Sequence, residues 1–111
     1  MEKRIRELFP EIEWIKDKGM QDKVVASYVD ALKTGGWEPD DMDKIPFTLL
    51  IPNCPFSYLD HVKGVTRIAK KSMDEFNAIY PVKDPKFMMD NDLLVAGALL
   101  HDVGKLVEYE R

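Results

Sequence analysis

The chain is poor in several residues that often carry structure or chemistry. It has one cysteine, two histidines and no long hydrophobic run in 111 residues. A lone cysteine excludes an internal disulfide framework and fits a reducing cytoplasm. That residue, Cys54, lies in Pro52-Asn53-Cys54-Pro55 with no base beside it, so it reads as a free structural thiol rather than a nucleophile. The longest apolar run, Leu93–Leu100, is far too short to cross a bilayer. The opening segment, MEKRIRELFPEIEW, is too charged for a signal peptide. Positive charge is not in excess either: 16 Lys and Arg against 20 Asp and Glu leave a net charge of −4, with no basic block. Duplex nucleic acid and membranes are therefore poor partners, and a cytoplasmic protein is expected. An acidic chain also repels phosphate at long range, so a phosphate site here needs local cations.

At this length the chain forms one small domain, residues 1–111, with a modest core. Glu2–Phe9 can form a short charged helix stopped by Pro10, while Glu11–Lys18 is ambiguous. Gln21–Thr34 places Val24, Val25, Tyr28, Val29 and Leu32 on one broad helical face, and Gly35-Gly36 ends it. Trp37–Phe56 holds Pro39, Pro46, Pro52 and Pro55, which forbid a long helix. Within it Phe47–Ile51 is apolar enough for a short strand, although an ordered loop that covers the core is the preferred reading. Residues 1–56 thus supply N-terminal helices and a proline-rich loop.

The second part, residues 57–111, is more strongly patterned. Ser57 with Asp60 forms a variant capping box. Val62, Val65, Ala69, Met73, Phe76 and Tyr80 then recur at helical spacing, and Pro81 and Pro85 mark the next loop. Asp90, Asn91 or Asp92 can cap a further helix over roughly Asp92–Asp102, apolar nearly all round and so expected to be central. Ala96-Gly97-Ala98 thins its middle.

That helix ends in LLHDVGK. Adjacent His101 and Asp102 close a nearly continuous apolar run, where an imidazole and a carboxylate are costly unless compensated, and a metal ion would compensate them. Neighbouring residues on a helix point in different directions, yet at a helix end both can reach an ion lying off the edge. Imidazole nitrogen with carboxylate oxygen suits Mn, Fe, Co, Ni or Zn better than Ca or Mg. The plainer alternative is a histidine favoured by the helix dipole beside an incidental aspartate. His61, the other histidine, lies one turn before Val65 and could be an ordinary core residue. Lys105 follows Asp102 by three residues, so a continuing helix would bring it to the same side; alone it reads as a solvated cation.

Taken together, His61-x3-Val65-x3-Ala69 followed by Leu99-Leu100-His101-Asp102-Val103-Gly104-Lys105 resembles the N-terminal part of an HD-domain metal-dependent phosphohydrolase. Asp30-Ala31-Leu32, Gly35-Gly36-Trp37, Ile45–Pro52 and Ala96–Leu100 extend the likeness to a bacterial and archaeal subgroup, from about residue 11 onward. The resemblance implies an all-α, HD-domain-like helical bundle, incomplete at its C-terminus. It implies hydrolysis of a phosphomonoester or phosphodiester, often of a nucleotide, by a metal-activated water. It makes His61, His101 and Asp102 metal ligands, gives Asp102 and Lys105 catalytic roles, and calls for a divalent transition metal. It also implies a later Asp ligand that this sequence does not contain, so the chain is expected to be the front part of a longer family member. An alternative from a different class is a catalytically inactive helical module that self-associates. The expected partners are a phosphorylated small molecule or nucleotide and a second copy of the chain.

Overall fold

The computed structural model describes residues 1–109, and every regular element among them is helical. Helix α1 spans Glu2–Leu8, α2 Lys18–Gly35, α3 Tyr58–Lys83, α4 Asn91–Leu100 and α5 Lys105–Glu108. Short 3₁₀ turns at Pro10–Trp14, Pro39–Asp43 and Pro85–Phe87 join them. The expectation of an all-α fold is met.

The helix ends follow local chemistry. Asp17 caps α2 by accepting from the Gly19 N–H, and Gly36 closes it in the left-handed conformation at φ 78°, a backbone region that suits glycine. At α3 the capping box is complete: Ser57 Oγ accepts from the Asp60 N–H at 3.0 Å, and Asp60 Oδ2 accepts from the Ser57 N–H at 3.0 Å. Asp90 caps α4 through the Leu93 N–H.

The core gathers Ile5 and Phe9, Ile12 and Ile15 after them, and the inner face of α2, Val24, Val25, Tyr28 and Leu32. Tyr58, Leu59 and Val62 from the first turns of α3, Val95 and Leu99 from α4, Leu106, and Met42 and Ile45 from the proline-rich segment join it. The ambiguous segment after Pro10 is a 3₁₀ turn whose Glu11 is fully buried. A lone buried carboxylate would be strongly unfavourable. Lys63 Nζ reaches both Glu11 oxygens at 3.0 Å and Arg67 a further 3.3 Å, tying the turn to α3.

Three expectations are corrected. Pro81 does not end α3, which runs two residues further to Lys83. Proline here sits in the final turn of an exposed helix end, where water can solvate the one carbonyl that loses its partner. The apolar Phe47–Ile51 segment does not cover the core: Leu49, Leu50 and Ile51 are exposed, Leu50 at 91%. Helix α4 stops at Leu100 rather than Asp102, and it is not central all round. Val95, Ala96 and Leu99 are buried, whereas Leu93 is 65% exposed.

The proline-rich loop is nonetheless anchored at its base. The Tyr58 N–H donates to Ile45 O at 2.7 Å and the Phe47 N–H to Phe56 O at 3.2 Å, around a bridge between Pro46 and Ser57. This closure sets Phe47 beside the start of α3.

Candidate metal centre

His61 lies in the first turn of α3, and His101 and Asp102 lie just beyond the end of α4. Beyond Ala98 the chain tightens: the N–H groups of His101, Val103, Lys105 and Leu106 each donate to the carbonyl three residues back. At this 3₁₀ spacing residues three apart eclipse, which aligns Lys105 with Asp102 even though the α-helix does not continue. The α-helix does not continue, yet Lys105 stands on the side of Asp102 where a continuing helix would have put it.

The three side chains converge on one point. His61 Nε2 is 3.0 Å from Asp102 Oδ2, His101 Nε2 is 3.2 Å from the same oxygen, and the two Nε2 atoms are 3.3 Å apart. Two donors held roughly 2.1 Å from one ion stand roughly 3.0 Å apart at a right angle and roughly 3.4 Å apart at the tetrahedral angle. The triangle has the dimensions of one face of a coordination polyhedron. Of the described residues this is the group of histidine and acidic side chains that could hold a metal ion. The donor set, two imidazole nitrogens and a carboxylate oxygen, fits a divalent transition metal.

His101 is also set in the right tautomer. Its Nδ1 is 2.6 Å from the Ala98 carbonyl, which can only accept, so Nδ1 carries the proton and Nε2 keeps its lone pair. Asp102 is mostly covered, at 19% exposure, and each histidine side chain is about 30% exposed, so the site opens to solvent on one side.

Lys105 Nζ lies 3.6 Å from Asp102 Oδ2 and donates to the Phe47 carbonyl at 3.1 Å. Tyr109 donates to the same carbonyl at 3.4 Å. The Phe47 ring stacks on His61, with centroids 5.1 Å apart and planes 18° apart. Phe47 is thus part of the site, although sequence reasoning assigned it to a cover for the core. Its contact with Lys105 is made by a backbone atom, for which no side-chain pattern exists. Cys54 stands apart, bonded through Sγ to Phe56 O at 3.5 Å.

The model of one protein family, the HD domain, matches residues 58–111. This part of the chain is an HD domain. The matched region begins at the first residue of α3 and includes both histidines, Asp102 and Lys105. The HD domain is in general a fold of metal-dependent phosphohydrolases, and the donor triangle lies within the matched residues. No curated protein and no solved structure matches the chain. No described helix of the chain is long and apolar enough to cross a membrane.

Proposed function

We propose that the chain is the metal-holding part of a phosphohydrolase that cleaves a phosphomonoester or phosphodiester of a small molecule or nucleotide. His61, His101 and Asp102 hold one divalent transition ion, and Lys105 steadies the phosphoryl group. The observation that carries this reading is the donor triangle, with edges of 3.0, 3.2 and 3.3 Å, inside an HD domain. When bound, such an ion acts as a Lewis acid on the phosphoryl group and lowers the pKa of a water toward neutrality.

The chain's own residues do the rest. The Ala98 carbonyl fixes His101 with Nε2 facing the ion. Asp102 offers Oδ2 to the ion, and its second oxygen accepts a proton from the attacking water and so orients it. Lys105 leaves the Phe47 carbonyl for an equatorial phosphoryl oxygen, whose charge it offsets in the transition state. Water adds to phosphorus, the ester P–O bond breaks, the departing oxygen takes a proton from solvent water and leaves as the alcohol, and Asp102 returns its proton to solvent.

The test is a titration of the chain with Mn²⁺ and Zn²⁺, with His101→Ala alongside, followed by phosphate release from p-nitrophenyl phosphate and a set of nucleotides. Saturable one-to-one binding that the variant loses, with metal-dependent release, is expected. Absent binding, or binding that the variant retains, overturns the reading.

A second reading has an observation of its own. Ile79 and Val82, one turn apart near the end of α3, are both exposed, and Ile68 is exposed three turns earlier on the same side. Contiguous exposed apolar surface commonly marks an association face. A second copy of the chain packed on this side would make a homo-oligomer. Light scattering that reports a monomer across the titration range excludes it.

A further inference from the structure

The break between α4 and the His-Asp pair has a chemical consequence for one backbone carbonyl. In a continuing α-helix Leu99 O would accept from the Val103 N–H. Here that N–H donates instead to Leu100 O at 3.2 Å. The Tyr28 hydroxyl, from the inner face of α2, hydrogen-bonds Leu99 O in its place. A carbonyl can only accept, so the single Tyr28 proton is committed to it. The Tyr58 hydroxyl, 3.4 Å away, is then the donor to Tyr28. A directed chain results, from Tyr58 through Tyr28 to Leu99 O.

These hydroxyls connect the elements that carry the site. Tyr58 is three residues before His61 in the first turn of α3, so the two share a face. Leu99 is two residues before His101. The chain of hydroxyls therefore sets the spacing between the ligand on α3 and the pair after α4, with α2 as the fixed post between them. Both tyrosines are fully buried. Burial drives the Tyr28 pKa far up and that of Tyr58 to about 12, and the negative charge of Asp102 pushes each in the same direction. Both stay protonated donors throughout the neutral range.

We propose that Tyr28 and Tyr58 are positioning residues for the metal centre, which hold the α4 terminus in its broken form so that His101 and Asp102 meet His61. The proposal rests on the reading of His61, His101 and Asp102 as ligands of one ion. Without the Tyr28 hydroxyl, Leu99 O recovers its partner from Val103, the helix lengthens by a residue or more, and Asp102 rotates away from His61.

The experiment compares wild type with Tyr28→Phe, Tyr58→Phe and Thr66→Val. Thr66 is the control because it is also buried but spends its hydroxyl on Val62 O within α3. Each chain is titrated with Mn²⁺ and Zn²⁺, and the Co²⁺ absorption spectrum reports coordination geometry. Circular dichroism and thermal unfolding report the fold. Tyr28→Phe is expected to weaken metal binding about tenfold or more and to change the Co²⁺ spectrum. Tyr58→Phe should shift both in the same direction by less, and Thr66→Val should change neither. Equal affinity and spectrum in Tyr28→Phe and wild type overturn the proposal. If Tyr28→Phe does not fold, Tyr58→Phe decides, and an unchanged spectrum there is the overturning result. Should wild type bind no metal, the proposed function itself fails. Proton cross-relaxation between the His61 and His101 rings, whose centroids are 5.3 Å apart, then replaces the metal as readout. Its loss in Tyr28→Phe supports the positioning role, and its persistence refutes it.

Discussion

The two ends of α3 differ sharply in burial. At the N-terminal end Tyr58, Leu59, Val62 and Thr66 are buried, a complete capping box fixes the first turn, and His61 faces the site. Beyond Met73 no residue of the helix is buried, Ile79, Tyr80 and Val82 are exposed, and a proline interrupts the ladder without ending it. One continuous element thus serves as a rigid mount at one end and a solvent-facing arm at the other. The lesson is that helical periodicity alone does not measure burial. The 62/65/69/73/76/80 pattern runs along the whole helix, but neighbouring elements cover only its first part closely.

Several substitutions test this contrast. The largest functional effect is expected at the mounted end: His61→Ala or Asp102→Ala should abolish metal-dependent phosphate release. Both side chains are partly exposed, so the thermal midpoint should stay close to wild type, within about 0.5 kcal/mol of stability. Activity retained in both variants would break the assignment. Next is a matched pair on α3. Val62→Ala should cost about 2 kcal/mol in urea unfolding, because a fully buried side chain leaves a cavity. Val82→Ala, at 79% exposure, should stay within about 0.5 kcal/mol. Equal losses would show that the exposed end is packed after all.

The helix termini give a finer comparison. Ser57→Ala removes one half of the capping box and should cost about 1 kcal/mol. Pro81→Ala restores an N–H to the last turn but loosens the unfolded chain, so the net change should be under about 1 kcal/mol. A last effect is electrostatic and is confined to alkaline pH. Burial lifts Tyr58 to about 12, so the folded chain keeps a proton that the unfolded chain loses near the ordinary tyrosine value of 10.0. Its contribution to stability is whole below pH 10 and declines as pH rises toward 12. Tyr58→Phe should flatten the unfolding free energy over that interval, and an unchanged slope would assign the decline to other groups.

Much of the site was legible in the sequence because its side chains are of rare types. With two histidines in the whole chain and one beside an aspartate after an apolar run, the candidates for a donor set were few. The caps at Ser57 and Asp90 and the glycine end at Gly36 were legible for a related reason, since each depends on residues a turn apart. What escaped depends on partners distant in sequence or on the backbone itself. Phe47 joins the site by its carbonyl and by a ring stacked on His61, and neither leaves a local signature. Tyr28 was legible as a core residue, but its bond to Leu99 O requires knowing that the helix breaks where it does. The exposure of Leu93 was hidden because an all-apolar helix has no polar face to announce which side meets solvent.

The two oxygens of Asp92 accept from the backbone N–H groups of Lys16 and Asp17, and Asn91 Nδ2 donates to Trp14 O. The strap that leads into α2 is thus fastened by residues about seventy-five positions later in the chain. During synthesis the first third of the protein leaves the ribosome long before those fasteners exist. Its helices can flicker, but the strap between them has only contacts such as Gln21 Nε2 to Ile15 O and the Glu11 pairs with α3 until α4 has emerged. The element that leads to His101 and Asp102 is thus also the one that fastens the beginning of the chain, and this last fastening comes late. Hydrogen-exchange protection of the Lys16 and Asp17 amides should therefore arise together with that of α4, never before it.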